Sequence, residues 1–384
     1  MATGPGPGEP TPADPDAPHA TIDLGALRAN LALLRSRAAT GVALLAAVKA
    51  EAYGHGLLPV ARVLEASGVD GFGVATAAEA LALRAAGSRV EVLLFGPVRA
   101  AIAELVAADV ALTVAHADDL RVIEAAGAAG RARVHLKVDT GMGRLGIGPS
   151  EAVALAAAVD RSPATELEGV WTHLAAADEP AATADGGATD LQLTAFATLL
   201  ARLERDGLRP RWAHAANSAG LLVRPDAHHD LVRPGIALYG QPPSAWIAAR
   251  TPELRPVLRL DAPVTFVKRV PAGTPISYGA TWTAPRDTVV ATVRMGYADG
   301  YPRALSSLAE AAHRGRRVPV VGRVCMDQLM IDLGPSGEAE TGERVELVGG
   351  AAPAATALAD AAGSFVYELL TGIGPRVQRR YVGG

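Results

Sequence analysis

The chain has 384 residues, of which 49% are hydrophobic and 20% charged, and its formal net charge is −4. That length suits two domains at roughly 100–200 residues each, and the charge pattern offers no basic block for a nucleic-acid backbone or an anionic membrane. No apolar run approaches the ~20 residues of a membrane span, and the single cysteine, Cys325, excludes an internal disulfide.

Residues 1–19 are rich in Pro, Gly and Ala and carry neither the cationic nor the apolar part of a secretory signal. They are expected to form a disordered tail. A cytoplasmic protein acting on small molecules is the expectation.

Residues 20–250 are expected to form the first domain. Between about residues 42 and 240, short apolar runs alternate with Ala/Leu-rich stretches. The runs are VALLAAVKA, GFGVA, VEVLLFG, VALTVA, RVHLKVDT, LEGVWTH, RWAHAANS and LVRPGIALYG. The stretches between them, such as LLPVARVLEAS and TAAEALALRAAG, repeat apolar residues at three and four, which predicts helices. Eight strands alternating with helices predict an α/β fold, a (β/α)8 TIM-like barrel, with an open doubly wound sheet as the alternative. No G-x-G-x-x-G follows the first strand, which weakens a dinucleotide-binding reading. The small, polar segment 177–190 is expected to be a surface loop. Residues 251–384 change texture, with Pro-punctuated, Val-rich runs that predict a mainly β second domain. Helices are expected there only in ATALADAAG and SFVYELLTGIG.

In a barrel of this kind, chemistry collects at the C-terminal ends of the strands. The predicted strands put Lys49 at the end of the first, Lys137 and Asp139 at the fifth, and His173 at the sixth. Asn217 and Ser218 end the seventh, and Arg233 lies in the eighth. Each has an ordinary alternative: a satisfied core histidine, a helix cap, a structural ion pair. Their clustering at one rim exceeds what packing requires.

Of the 36 Lys and Arg residues only three are lysine, namely Lys49, Lys137 and Lys268. Where charge alone suffices this chain uses arginine, so a retained lysine is a candidate for primary-amine chemistry. Lys49 lies between an apolar strand and the glycines of AVKAEAYGHG, where partial burial favours the neutral, nucleophilic amine. Tyr53, Ser218 and the N–H groups of Gly235 and Ile236 are candidate donors to a phosphate. An amine beside a phosphate cradle suggests pyridoxal 5'-phosphate. No metal site is expected.

The motifs AVKAEAYGHG, HLKVDTGMGRLG, THLAAAD, ANSAG, LVRPGIALYG, ISYGATW, GYADGYPR, GRVCMDQ and YELLTGIGPRV resemble, in order, those of bacterial alanine racemases. The resemblance spans about residues 20–382 and both predicted domains. One departure is Glu51, where many members carry Asn. The resemblance implies a homodimer with shared active sites, each barrel mouth completed by the β domain of the other subunit, and a role in supplying D-alanine for peptidoglycan. It implies that Lys49 holds the cofactor and takes the D-alanine α-proton, while Tyr278 from the partner takes the L-alanine proton. It also implies that Tyr53, Ser218, Gly235, Ile236 and Tyr367 contact the phosphate, that Arg233 faces the ring nitrogen, and that His173 and Asn217 complete the cofactor site. Arg144 and Met326 would contact the substrate carboxylate region, with Asp327 and Tyr297 nearby. Lys137 matches a lysine that several members carbamylate. Three readings stand beside this one. They are a racemase of broader specificity, such as for serine, a barrel-type decarboxylase and a non-catalytic cofactor carrier. Arg233 and the placement of Cys325 argue against the decarboxylase, and residues 250–384 with Tyr278 argue against the carrier.

Overall fold

A computed structural model describes residue 14 and residues 16–384. The tail expectation for residues 1–13 and 15 falls outside the described residues. Among those described, Ala17 is already buried and His19 opens the first strand. The chain divides into two compact units. One unites the described residues up to Asp23 with Leu258–Val382, and the other is Leu24–Val257 with Gly383–Gly384.

The strands in chain order are β1 (His19–Asp23), β2 (Ala43–Ala47), β3 (Gly71–Val74), β4 (Glu91–Leu94) and β5 (Leu112–Val114), then β6 (Ala132–Lys137), β7 (Thr165–Trp171), β8 (Trp212–His214), β9 (Leu231–Val232) and β10 (Leu258–Val270). Strands β2 to β9 are the eight predicted apolar runs. They pair in parallel as two four-stranded sheets, β4-β3-β2-β9 and β5-β6-β7-β8. Two seams close the ring. Leu94 N–H donates to Ala111 O (2.9 Å) and Ala111 N–H to Val92 O (2.8 Å), while Asp230 N–H donates to Ala213 O (3.0 Å) and Arg233 N–H to Ala216 O (2.9 Å). Closure excludes the open sheet.

The barrel strands read as near-continuous apolar runs because both faces are buried. Their apolar side chains fill the interior on one side and receive the amphipathic helices on the other. Helix Leu57–Ala66 buries Leu57, Val60, Ala61 and Leu64, the three-and-four spacing read in the sequence. Helix Ala77–Ala85 starts at a capping box in which Thr76 and Glu79 satisfy each other's backbone N–H groups. The expected loop 177–190 contains a helical turn at Pro180–Thr183, and the long helix Ala188–Arg205 begins before it ends.

The second unit is mainly β. Strand β10 runs for 13 residues and pairs antiparallel with β1, Thr288–Val293 and Arg344–Val348. Strand β1 also runs parallel to Gln378–Val382, so residues far apart in the chain share one sheet. Helices Ala355–Ala361 and Val366–Thr371 match the two predicted segments.

Candidate active site

The lysine predicted to carry chemistry stands two residues beyond the end of β2. After it the backbone does something the sequence does not announce: Ala50, Glu51, Ala52 and Tyr53 all lie in the left-handed helical region, with φ between 52° and 55°. Such a conformation costs roughly 1–2 kcal/mol per L-residue, so the surroundings must fix it. Ala52 N–H donates to Val48 O (2.8 Å), Gly54 N–H to Ala50 O (2.9 Å) and Gly56 N–H to Glu51 O (2.8 Å). The Glu51 carboxylate accepts from Leu57 N–H (3.1 Å). Glu79 accepts from Ala50 N–H (2.6 Å) through one oxygen and from Ala75 and Thr76 N–H (2.9 and 3.0 Å) through the other. One carboxylate thus ties the lysine turn to the N-terminal cap of helix Ala77–Ala85. Glu79→Ala is expected to destabilise the protein by about 1–3 kcal/mol in urea unfolding and to lower kcat, whereas Glu79→Gln, which keeps one acceptor, loses less.

Lys49 Nζ stands 5.9 Å from the centre of the Phe95 ring. Burial lowers its pKa, with Arg144 adding to the effect and Glu79 opposing it, so the neutral amine is accessible nearer neutrality than for free lysine. The turn delivers Tyr53 to the barrel interior, where its ring stacks on Tyr239 at 4.9 Å. The Tyr239 hydroxyl in turn donates to Ala47 O at 2.9 Å. Burial raises Tyr53 to about 12, so its phenol stays protonated.

Two strands round the rim from Lys49, Asn217 caps the short helix Ser218–Val223, its carbonyl accepting from Gly220 N–H at 2.9 Å. Ser218 Oγ accepts from the N–H groups of Gly235 (2.9 Å) and Ala237 (3.3 Å). The Gly235 donor expected to face a phosphate is therefore engaged by Ser218 here. Gly235 has no room for a side chain, because a Cβ there would overlap the Tyr53 hydroxyl. Tyr53, Ser218, Gly235 and Ile236 consequently meet in one place.

Arg233 is buried and lies one residue past the end of β9. Its guanidinium donates to His214 Nδ1 (2.8 Å), Thr172 O (2.8 Å), Ala215 O (3.0 Å) and His173 Nδ1 (3.4 Å). Desolvation and the cations Arg233 and Lys137 hold His173 well below its usual value, so the charge is Arg233's alone. Desolvation, again with Arg233, does the same to His214. Unfolding lets both histidines take protons near their ordinary 6.5. Between that value and their lower folded values the unfolded state binds more protons, so stability falls as pH falls. Each histidine contributes a slope that rises to at most about 1.4 kcal/mol per pH unit once the unfolded ring is protonated and the folded one is not. Thermal unfolding between pH 7.5 and 5.5 is expected to show this loss, with a flatter slope in His214→Asn.

Lys137 ends β6 with its Nζ 4.6 Å above the Trp171 ring, and Arg233 lies 4.8 Å from the same ring. Burial first, and then Arg233, lower Lys137 to about 7, so a fraction of it is neutral amine at physiological pH. Asp139 accepts from the N–H groups of Gly141 (2.9 Å), Met142 (2.8 Å) and Gly143 (2.8 Å). Ile147 N–H closes the same loop on Lys137 O at 3.0 Å. Asp139 is therefore the anchor of the turn that presents the exposed Arg144.

The remaining predicted residues belong to the other unit. Tyr278 sits in a tight turn, and Ser277 before it donates to Arg323 O at 2.7 Å. Tyr297 N–H donates to Cys325 O (3.0 Å) and Ala298 N–H to Met326 O (2.8 Å), which binds the Tyr297 turn to the loop holding Met326 and Asp327. Tyr278, Tyr297 and Met326 are 72%, 44% and 57% exposed. Tyr367 lies on helix Val366–Thr371 of this unit. Sequence reading missed Phe95, His135, Glu168, Trp171 and His214, which pack around the predicted groups. The alternation Arg133, His135, Lys137 along β6 was the available signal, since residues two apart share a face.

Fold and rim together define a barrel enzyme built on a lysine amine, with a buried guanidinium and a backbone-and-hydroxyl cradle beside it. The family's sequence models for the alanine racemase N-terminal and C-terminal domains match residues 22–243 and 257–381. An alanine racemase of Desulforamulus reducens is 42% identical over 95% of this chain and 98% of its own length. One from Symbiobacterium thermophilum is 44% identical over 95% and 97%. The crystal structure of alanine racemase from D-cycloserine producing Streptomyces lavendulae matches with a TM-score of 0.91 at 40% identity, covering 97% of this chain and 98% of that one. The chain belongs to the alanine racemase family. Among the described residues no helix is long and apolar enough to cross a membrane.

Proposed function

We propose that this chain interconverts L-alanine and D-alanine with pyridoxal phosphate, using Lys49 and Tyr278 as bases on opposite faces of the substrate. The observation that carries the reading is the convergence at one barrel rim of the partly buried Lys49, the Tyr53–Ser218–Gly235 cluster and the buried Arg233.

The residues fit the cofactor. Lys49 supplies the amine, and Tyr53 and Ser218 supply hydroxyls. Gly235, where a Cβ would strike Tyr53, leaves space for close approach to the backbone. Ile236 N–H and Tyr367 complete the phosphate contacts of the reading, with His173 and Asn217 around Arg233 and Ser218. When bound, pyridoxal phosphate supplies the carbonyl that captures the substrate amine and a ring that draws electrons from Cα.

Racemisation must take a proton from one face of Cα and return one to the other. Lys49 Nζ, whose burial favours the uncharged amine, can accept the proton on its face and hand one back. Tyr278 from a second copy of the chain serves the opposite face, and in one direction of the reaction it must donate. A tyrosine so largely exposed in the single chain is explained if a partner subunit covers it, and this supports a homodimer with shared sites. The Arg233 guanidinium has only donors; facing the ring nitrogen of a bound cofactor, it would oppose protonation there, weaken the electron sink and so limit transamination. Arg144 and Met326 hold the substrate carboxylate region, with Asp327 and Tyr297 beside them. Lys137, with its neutral fraction, is a candidate for carbamylation, which would turn it into an anion facing Arg144. The cytoplasm, and supply of D-alanine to peptidoglycan, complete the reading.

Incubating the purified protein with L-alanine and with other L-amino acids, then measuring enantiomers, tests it. Approach of alanine to equal enantiomers is expected. Unchanged L-alanine beside a racemised larger amino acid would overturn the substrate assignment.

A further inference from the structure

The barrel interior below Arg233 contains a polar chain that the proposed reaction does not use. Arg133, His135 and Lys137 alternate along β6 and so share one face. Opposite them β7 carries a bulge: the pairing steps from Val134↔Leu167 to His135↔Gly169, leaving Glu168 as the extra residue. A bulge of this kind re-aims a side chain. Here it brings the Glu168 carboxylate to Arg133 Nη1 (3.0 Å) and His135 Nε2 (3.3 Å). Gly169 leaves the space for the His135 ring, which a Cβ at that position would overlap. His135 Nδ1 lies 2.8 Å from His214 Nε2, and His214 Nδ1 lies 2.8 Å from Arg233 Nη1. Both histidines, Glu168 and Arg233 are buried.

We propose that His135 and Glu168 are positioning residues for Arg233, joined to it through His214 in a hydrogen-bond relay that has a single allowed polarity. The two ends dictate the direction. A guanidinium can only donate, so His214 must accept at Nδ1 and carry its proton on Nε2. That proton points at His135, which must accept at Nδ1 and in turn carry its own proton on Nε2. The ionised Glu168 carboxylate accepts there. Burial opposes that ionisation, but the hydrogen bond from His135 and the ion pair with Arg133 hold Glu168 below the usual carboxylate range. Arg133 is itself held by Glu91 and by Asp109 (3.0 Å). Reversing either ring would set donor against donor in the interior, where an unpaired polar group is costly. The relay therefore keeps a lone pair of His214 aimed at Arg233, with Thr172 O and Ala215 O fixing the guanidinium plane.

The test is nitrogen-15 NMR of histidine-labelled full-length protein, with and without pyridoxal phosphate, together with Glu168→Leu and Glu168→Gln. In wild type both His135 and His214 are expected to be neutral with the proton on Nε2. A proton on Nδ1 of either ring, or an imidazolium at either, overturns the relay. Glu168→Leu removes the terminal acceptor. It is expected to lower kcat about 10-fold at unchanged KM for alanine and to end the pure Nε2–H form of His214. Glu168→Gln, which can still accept, regains most of kcat. A wild-type kcat in Glu168→Leu overturns the positioning role. Should the leucine variant fail to fold, the wild-type tautomers and the glutamine variant decide. The kinetic arm rests on the racemase reading and the tautomer arm does not, so failure of one is distinguishable from failure of the other.

Discussion

Lys49→Ala is expected to abolish racemisation, by about 10⁴-fold or more, and to remove the visible absorbance of lysine-bound cofactor. Two losses combine in this variant, the covalent anchor and the base on one face of Cα, and no other described residue replaces them. The other two lysines cannot substitute. Lys137 is held at the Trp171 ring with its Nζ donating to Val138 O (3.1 Å), and Lys268 lies on β10 of the other unit. Lys49→Arg is expected to be equally inactive, because a guanidinium keeps its charge and is no nucleophile. Absorbance spectra and a coupled D-alanine assay check both variants. Full activity in Lys49→Ala would refute the role of this amine.

Tyr278→Phe is expected to lower kcat by about 10²–10⁴-fold while cofactor loading and absorbance stay intact. The effect should be asymmetric in isotope experiments, falling mainly on the L-alanine proton, since Lys49 still serves the D face. Mixing the inactive Lys49→Ala and Tyr278→Phe proteins should restore partial activity if each site takes its lysine from one chain and its tyrosine from another. No recovery after verified subunit exchange would count against a shared site, and loss of cofactor in Tyr278→Phe would give that tyrosine a different role.

What the sequence made legible follows from how local each signal is. The eight barrel strands are near-continuous apolar runs between amphipathic helices, and a period of two or 3.6 is visible in a short window. The rim residues were legible because polar groups at the ends of such strands break that pattern. The membership of β1 was not, since His19–Asp23 pairs with β10 and with Gln378–Val382, partners more than 200 residues away. Nor was the left-handed turn after Lys49, because Ala50, Glu51 and Ala52 are good right-handed helix formers and what reverses them includes the Glu79 carboxylate, which lies outside the segment. Glu51 sharpens the point. Asn tolerates positive φ better than Glu, but Glu51 accepts from Leu57 N–H in compensation. The interior relay escaped for a similar reason. A bulge at Glu168 is a property of the pairing between two strands and leaves no mark in either one alone.

The most direct test of two bases acting across one carbon is the fate of the α-hydrogen. Wild-type protein is incubated with L-alanine in D2O and stopped at early conversion, and the D-alanine formed is separated and its α-position read by proton NMR or mass spectrometry. Lys49 and Tyr278 on opposite faces predict D-alanine carrying deuterium at Cα from the first turnover. D-alanine that retains the original proton would mean one base working both faces, and would contradict the account.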